Sequence, residues 1–293
     1  MPALAILRYE LGSLWSGWLV RLWLIGAGVL ALLTLTSAWG QLQTSILIGS
    51  LLFPFLVFPW FLIVMLLGIS PVTGSRLDAL ADGILSRPIT RYEYLLASWA
   101  ARVATVLSVF FLVITPCMLL ATFAKRPAAT ADSVTWYGML SAAALVSLVL
   151  TFLVSLGFLA GTLLRRPLVA AVVLFFVWYP ANLVLDTLQL EEFSPITLNR
   201  ALPTLLRTPW RATEAAGDRR LSATDAAALQ RQWDHVMTVF GGGQPQPQAR
   251  DSADFFERGS YEDFSFWKVF FGYSIPTLAA VALATWCFCR RDL

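Results

Sequence analysis

Six stretches of this 293-residue chain contain no Asp, Glu, Lys, Arg or His. A helix needs about 20 apolar residues to cross the roughly 30 Å hydrocarbon core of a bilayer, and each stretch is close to that length or longer. Soluble domains seldom bury helices so long and so uniformly apolar. The pattern therefore predicts an all-α integral membrane protein with six transmembrane helices, over Leu22–Ala38, Ile46–Ile69, Val103–Phe123, Trp136–Leu164, Pro167–Leu185 and Val269–Cys289.

The missing charges also restrict the mechanism. Ion-driven transporters and intramembrane acid–base enzymes normally keep an ionisable side chain at membrane depth, because that group carries the proton or the chemistry. The six stretches hold none, so the sequence predicts no catalytic residue. It also predicts that any work the protein does is powered from outside the membrane core. A formal net charge of +3 is too small to indicate nucleic-acid binding.

Positively charged residues are distributed unequally along the chain. If the N-terminus is cytoplasmic, the short outer loops carry only Lys125 and Arg126. Cytoplasmic loops are enriched in Lys and Arg, so this bias predicts a multi-pass protein of the cell (inner) membrane with both termini in the cytoplasm. The short inner segments then hold ten arginines, which are Arg8, Arg21, Arg76, Arg87, Arg91, Arg102, Arg165, Arg166, Arg290 and Arg291.

The connections between the spans complete the predicted organisation. Met1–Trp18 is amphipathic and predicts an interfacial helix, with a cleaved signal peptide as the alternative. Its apolar stripe is Leu4, Leu7, Leu11, Leu14 and Trp18, and its polar positions include Arg8 and Glu10. The predicted divisions are a membrane domain over residues 1–186 with an inner connection at 70–94, an extracytoplasmic segment over 187–268, and a sixth span with its cytoplasmic tail over 269–293.

The extracytoplasmic segment contains an apolar stripe at helical spacing, with Ser222 as the capping residue. An apolar patch in water is unfavourable, so we expect this helix to pack as a lid over the outer ends of the spans or against a second copy. A disordered loop is the alternative, favoured locally by Gly241–Gln248. The stripe begins at Ala226, and the lid residues are Leu229, Trp233, Val236 and Phe240.

No metal site is predicted. Cys287 and Cys289 form a Cys-x-Cys pair that could bind a soft metal such as Cu(I), but small apolar side chains in helix contacts are the favoured interpretation of these cysteines and of Cys117. His235 is the only histidine and has no second ligand near it in the sequence.

The inner connection has the most specific pattern. Its first half is amphipathic and predicts a short helix along the inner surface, with Pro88 ending that helix because the residue before proline is disfavoured in the α region. A solvated turn is the alternative. Leu85-Ser86-Arg87-Pro88-Ile89-Thr90-Arg91-Tyr92-Glu93-Tyr94-Leu95-Leu96 resembles the signature that follows the second span of type-2 ABC-transporter permeases.

Two further segments are similar to that family, which are Phe193-Ser194-Pro195 and the closing Phe288–Leu293. The chain differs from the family at Asp82-Gly83-Ile84, where Gly-Thr-Leu is common, and at Ala97-Ser98, where Gly-Lys is usual. These differences concern the subfamily and the substrate rather than the family.

The resemblance implies an ATP-driven transporter, in the exporter direction that is commoner in this family. The chain has no Gly-x-x-x-x-Gly-Lys-(Ser/Thr) loop to hold phosphates, so it is not itself an ATPase and binds no cofactor; ATP and Mg would bind to a partner. The implied partners are two ABC-type ATPase subunits, a second permease chain (identical or different) and membrane lipid, with no nucleic acid.

The resemblance also implies which residues contact the ATPase. Pro88 would fix the angle between the inner helix and the third span. The contact residues would be Arg76, Asp78, Asp82, Arg87 and Arg91.

Two other classes remain open from the residues. One is a membrane component that moves no substrate and relays ATPase motion to extracytoplasmic partners. The other is an intramembrane protease, since Glu191-Glu192 resembles the Glu-Glu-x-x-x-Arg motif of enzymes that cleave prenylated proteins, but Ile196 occupies the arginine position. A cavity between two permease chains would favour transport, and tightly packed spans would favour the relay.

Overall fold

The computed structural model describes residues 2–40, 42–69, 91–124, 134–164, 166–187, 194–207 and 266–290. Within these ranges every regular element is an α-helix, which confirms the predicted all-α class for this part of the chain. The helices are α1 (Pro2–Ser16), α2 (Trp18–Ala38), α3 (Thr44–Leu56), α4 (Trp60–Ile69), α5 (Arg91–Phe123), α6 (Trp136–Leu163), α7 (Pro167–Thr187), α8 (Pro195–Leu206) and α9 (Phe266–Arg290).

Five segments of the described chain are long and apolar enough to cross a membrane, which supports a multi-pass membrane protein. The apolar part of α7, Pro167–Asn182, is shorter than these five. The count of six spans therefore stays a prediction. The five segments are Trp18–Ala38, Thr44–Ile69, Tyr92–Phe123, Trp136–Leu163 and Phe266–Arg290.

The second of these segments is interrupted. α3 ends at Leu56 and α4 begins at Trp60, so that Val57, Phe58 and Pro59 separate the two helices. Proline disfavours the α conformation of the residue before it, which accounts for a break at Phe58. The N–H of Val57 donates to the carbonyl oxygen of Phe53 at 2.9 Å and closes the last turn of α3.

The helices pack around α6, which contacts α3, α4, α5, α7, α8 and α9. Leu145, Val149 and Leu153 of α6 are fully buried. We call the end of the bundle that holds Ile69 and Arg91 the inner end, and the end that holds Trp136 and Leu206 the outer end, after the predicted topology.

The predicted N-terminal helix is present as α1 and packs against α5 and α2. Two of the side chains in its sequence pattern have surroundings that the pattern does not specify. Trp18, predicted on its apolar stripe, is instead the first residue of α2 and is 73% exposed. Glu10, predicted among the polar positions, is turned towards α5, where it meets a buried arginine.

Candidate functional site

Arg102 of α5 is buried towards the inner end of the bundle, between α1 and α4. Its side chain is only 4% exposed. Nε donates to the carbonyl oxygen of Leu67 at 2.9 Å, and Nη1 donates to the carbonyl oxygen and the hydroxyl of Ser98 at 2.9 and 2.6 Å. By its sequence Arg102 belongs to a predicted inner segment. In the structure α5 instead extends back to Arg91, and Arg102 is buried among packed helices.

The contact with Leu67 joins two neighbouring helices. Leu67 lies near the inner end of α4 as the structure describes it. Its carbonyl oxygen can accept from a side chain because a carbonyl oxygen has two lone pairs. Arg102 therefore supplies a donor from α5 to the backbone of α4.

Glu10 of α1 brings a third helix to the same side chain. Its Oε2 lies 3.9 Å from Nη1 of Arg102, and the Glu10 side chain is 16% exposed. At this distance the contact is a charge–charge interaction rather than a hydrogen bond. Since a buried charge is costly unless it is paired, Glu10 provides the counter-charge that allows Arg102 to remain buried.

Three glycines bring α4 and α6 to backbone contact at the inner end. A Cβ atom on Gly157 would collide with the carbonyl oxygen of Met65. One on Gly161 would lie 2.5 Å from the carbonyl oxygen of Ile69, and one on Gly68 would lie 2.5 Å from that of Val154. The close approach that a Gly-x-x-x-Gly pair permits is thus used here, between the second and fourth predicted spans.

A small apolar cluster joins α5, α6 and α9 at the inner end. It consists of Leu95, Phe158, Ala284 and Phe288. Nearby, the indole Nε1 of Trp99 donates to the hydroxyl of Ser155 at 3.0 Å and links α5 to α6.

These contacts define the surroundings of the inner connection. Residues 70–90 connect Ile69 at the end of α4 to Arg91 at the start of α5. These two helices are joined by the hydrogen bond from Arg102 to Leu67.

The predicted ATPase contacts themselves are not placed. Arg91 is the first residue of α5, but its side chain lies outside the described part of the chain. Ser98 was not predicted as a partner of Arg102, although a hydroxyl four residues earlier on a helix is the sequence signal for such a contact. The residues that lie wholly outside the described ranges are Arg76, Asp78, Asp82, Arg87 and Pro88.

At the outer end, α8 is fixed to α3 and α6. The N–H of Thr135 donates to the carbonyl oxygen of Leu206 at 3.0 Å, and a Cβ atom on Gly138 would collide with the backbone of Leu206. Nη2 of Arg207 donates to Oε1 of Gln43 at 2.7 Å and to the hydroxyl of Ser45 at 3.0 Å. The lid residues follow further along the same predicted segment and lie outside the described ranges, namely Leu229, Trp233, Val236 and Phe240.

An apolar groove of about 220 Å³ runs between α4 and α7 on the surface of the chain. The groove is lined by Leu62, Met65, Leu66 and Ile69 of α4 and by Ala171, Val172, Phe175 and Phe176 of α7.

Within the ranges that the structure describes, no group of three or more His, Cys, Asp or Glu could hold a metal ion.

Comparison with protein families places most of the chain in one of them. Residues 82–293 match the family model described as ABC-2 family transporter protein. The matched region begins within the inner connection and contains α5 to α9, including Arg102. Comparison with curated proteins gives no match.

Proposed function

Because this chain belongs to the ABC-2 family of transporter proteins, we propose that it is the permease subunit of an ATP-driven exporter. The family match over residues 82–293 is the observation that carries this proposal. The chain pairs with a second permease chain and with two ATPase subunits. Its sequence lacks a phosphate-binding loop, so the partner subunits bind ATP and Mg.

The inner connection, predicted over residues 70–94 and thus including the first turn of α5, receives the motion of the ATPase. The packing on either side of this segment supports that role. α4 and α5 are joined through Leu67 and Arg102, and α4 and α6 are in contact through their glycines. A displacement of the segment is therefore passed to three helices together rather than absorbed at one flexible end.

The exposed surface of α7 offers one apolar face for a dimer and for an apolar transport path. Leu168, Phe176 and Val177 are 74%, 68% and 61% exposed on the single chain. Together with the groove between α4 and α7, they form an apolar surface on which a second permease chain or an apolar substrate can pack. The substrate class that fits such a surface is a lipid-like or otherwise hydrophobic molecule.

The test of ATPase coupling is charge reversal at Arg87→Glu and Arg91→Glu. We expect ATPase binding to fall about tenfold or more, because like charges across an interface are strongly unfavourable. Affinity purification of the complex and its ATPase rate measure the effect. The matched control reverses the same number of charges at Lys125→Glu and Arg126→Glu, which are predicted on the opposite side of the membrane.

Full binding and unchanged ATP hydrolysis in the Arg87 and Arg91 variant would show that the inner connection is a solvated turn. Equal loss in the control would place the effect in folding or insertion instead. The purified chain by itself should hydrolyse no ATP, and any hydrolysis that depends on it alone would contradict the subunit assignment.

A relay without transport is the second candidate, and the anchoring of α8 favours it. The hydrogen bonds of Leu206 and Arg207 fix the start of the predicted extracytoplasmic segment to α3 and α6, so motion of these helices is passed directly outwards. Reconstitution of the complex in vesicles separates the two functions. Export moves lipid-like substrate on addition of ATP, whereas a relay hydrolyses ATP and moves none.

A further inference from the structure

We propose that Arg102 and Glu10 act as a positioning pair, which makes the N-terminal helix and the inner ends of the second and third spans move as one unit. This inference rests on the proposed function, because the unit would carry motion from the ATPase into the membrane. It concerns side chains that lie within the described part of the chain and outside the predicted ATPase contacts.

The placement of the contacts supports this role. One guanidinium touches the last turn of α4 through Leu67, its own helix α5 through Ser98, and α1 through Glu10. α4 is the helix that enters residues 70–90 and α5 is the helix that leaves them. The contacts therefore join α4 and α5, the two helices that flank the inner connection, and they link the N-terminal helix α1 to both.

The chemistry of the pair indicates that it fixes the relative position of the helices and adds little to the free energy of unfolding. A buried ion pair contributes little net stability compared with apolar side chains of similar size, because both charges lose hydration. A Leu or Met at position 102 would fill the space among apolar helices, but it would not hold a particular carbonyl and a particular carboxylate. The directional hydrogen bonds hold α4 and α5 in one relative position, and the charge–charge interaction with Glu10 draws α1 to them.

Packing elsewhere shows that α4 and α5 do not need Arg102 to stay in the bundle. α4 is held to α6 by the glycine contacts, and α5 is held to α6 by the hydrogen bond from Trp99 to Ser155. In contrast, α1 packs against α5 and α2 and ends at Ser16, so Glu10 is its charged link to the inner ends of α4 and α5.

The experiment uses the full complex with its ATPase and compares Arg102→Gln with Arg102→Lys. Two measurements are made: substrate moved per ATP hydrolysed, and the distance between spin labels at Tyr9→Cys on α1 and Leu96→Cys on α5, both exposed side chains. The native cysteines Cys117, Cys287 and Cys289 are replaced beforehand.

For Arg102→Gln we expect a broader label distance and a loss of about fivefold or more in substrate moved per ATP, with ATPase assembly retained. Arg102→Lys keeps the charge beside Glu10 but loses the forked donor, so its effect should be intermediate. The matched control is Arg21→Gln, an exposed arginine whose Nε donates to the carbonyl oxygen of Trp15 at 3.2 Å. This control should behave as the wild type.

Unchanged label distances, or full coupling in Arg102→Gln, would overturn the inference, as would an equal effect in the Arg21 control. If Arg102→Gln fails to assemble, Glu10→Gln decides, because it leaves the three hydrogen bonds of Arg102 in place. Broader distances with lower coupling would then support the pair, and unchanged values would refute it. A wild-type complex that moves no substrate would refute the export function, while the label distances would still report on the pair.

Discussion

At the scale of single residues, the inner end combines a buried charge with glycines that allow backbone contact. Arg102 remains buried because hydrogen-bond acceptors on two helices and the carboxylate of Glu10 replace its hydration. The glycines have no side chain, so the backbones of α4 and α6 can touch. The hydrogen bond of Arg102 brings α4 close to α5 by attraction, whereas the glycines let α4 approach α6 because nothing lies between them.

Gly157→Ala tests the glycine contact. The added methyl group would collide with the carbonyl oxygen of Met65, so α4 and α6 must move apart. Overpacking of this kind costs about 1–3 kcal/mol, and we expect a lower midpoint of thermal unfolding in detergent.

Gly28→Ala in α2 is the control, because a Cβ atom there meets nothing within 4 Å. Alanine is the better helix former by about 1 kcal/mol, so this variant should be unchanged or slightly more stable. If Gly157→Ala were as stable as Gly28→Ala, the close contact between α4 and α6 would be contradicted.

At the scale of elements, α8 shows how the predicted outer segment begins. Leu198, Ala201, Leu202 and Leu205 lie on one face of this helix and are buried. The apolar face packs on α3 and α6, and the hydrogen bonds of Arg207 hold its C-terminal end. In the sequence this segment begins with the family-like run Phe193-Ser194-Pro195, whereas the covering helix is predicted further on, at residues 222–240, where the apolar stripe is longer.

The lid prediction is tested by Leu229→Asp together with Trp233→Asp. Loss of burial costs about 1.5–3 kcal/mol for each large apolar side chain, so we expect weaker dimers or slower transport with normal membrane insertion. Dimer dissociation on dilution and transport in vesicles measure the effect.

Gln230→Asp is the matched control, since Gln230 lies in the same predicted helix but is not part of its apolar stripe. It should leave both assembly and transport as they are. Should the double variant also behave as the wild type, residues 222–240 would be a tolerated insertion rather than a lid.

At the scale of the whole molecule, the chain is a bundle around α6 with an uneven outer surface. α6 touches six other described helices, whereas α7 leaves most of its apolar side chains exposed. An apolar surface on a membrane helix is stable against lipid and against another chain alike. The exposed face of α7 is therefore compatible with the membrane and is available for assembly.

Topology is tested by cysteines placed at Ser222→Cys and Ser86→Cys in a chain without its three native cysteines. The excess of arginine in the predicted inner segments places residue 222 outside and residue 86 inside. An impermeant maleimide added to intact cells should label the first position and not the second. Permeabilised cells, in which both should react, are the control. Labelling of both positions in intact cells, or of residue 86 alone, would refute the six-span topology.

The sequence by itself determined the helical membrane class and the positions of most spans. Stretches of about 20 residues without charge can satisfy their backbone hydrogen bonds in lipid only as helices, so a local pattern is sufficient for that prediction. The N-terminal helix follows from the helical spacing of its apolar residues. The Arg-Pro-x-x-Arg run from Arg87 to Arg91 indicated the family, which the comparison with known families confirms.

Only the tertiary structure decided which residues meet. Arg102 stands directly before an apolar stretch and has the pattern of a charge that marks the end of a span. It is buried because Glu10 and Leu67, which are distant in sequence, come together around it. In the same way, Gly157 is a common type of residue in a membrane helix until α4 is brought against it. Such contacts depend on the relative positions of whole helices, and a local sequence pattern does not contain that information.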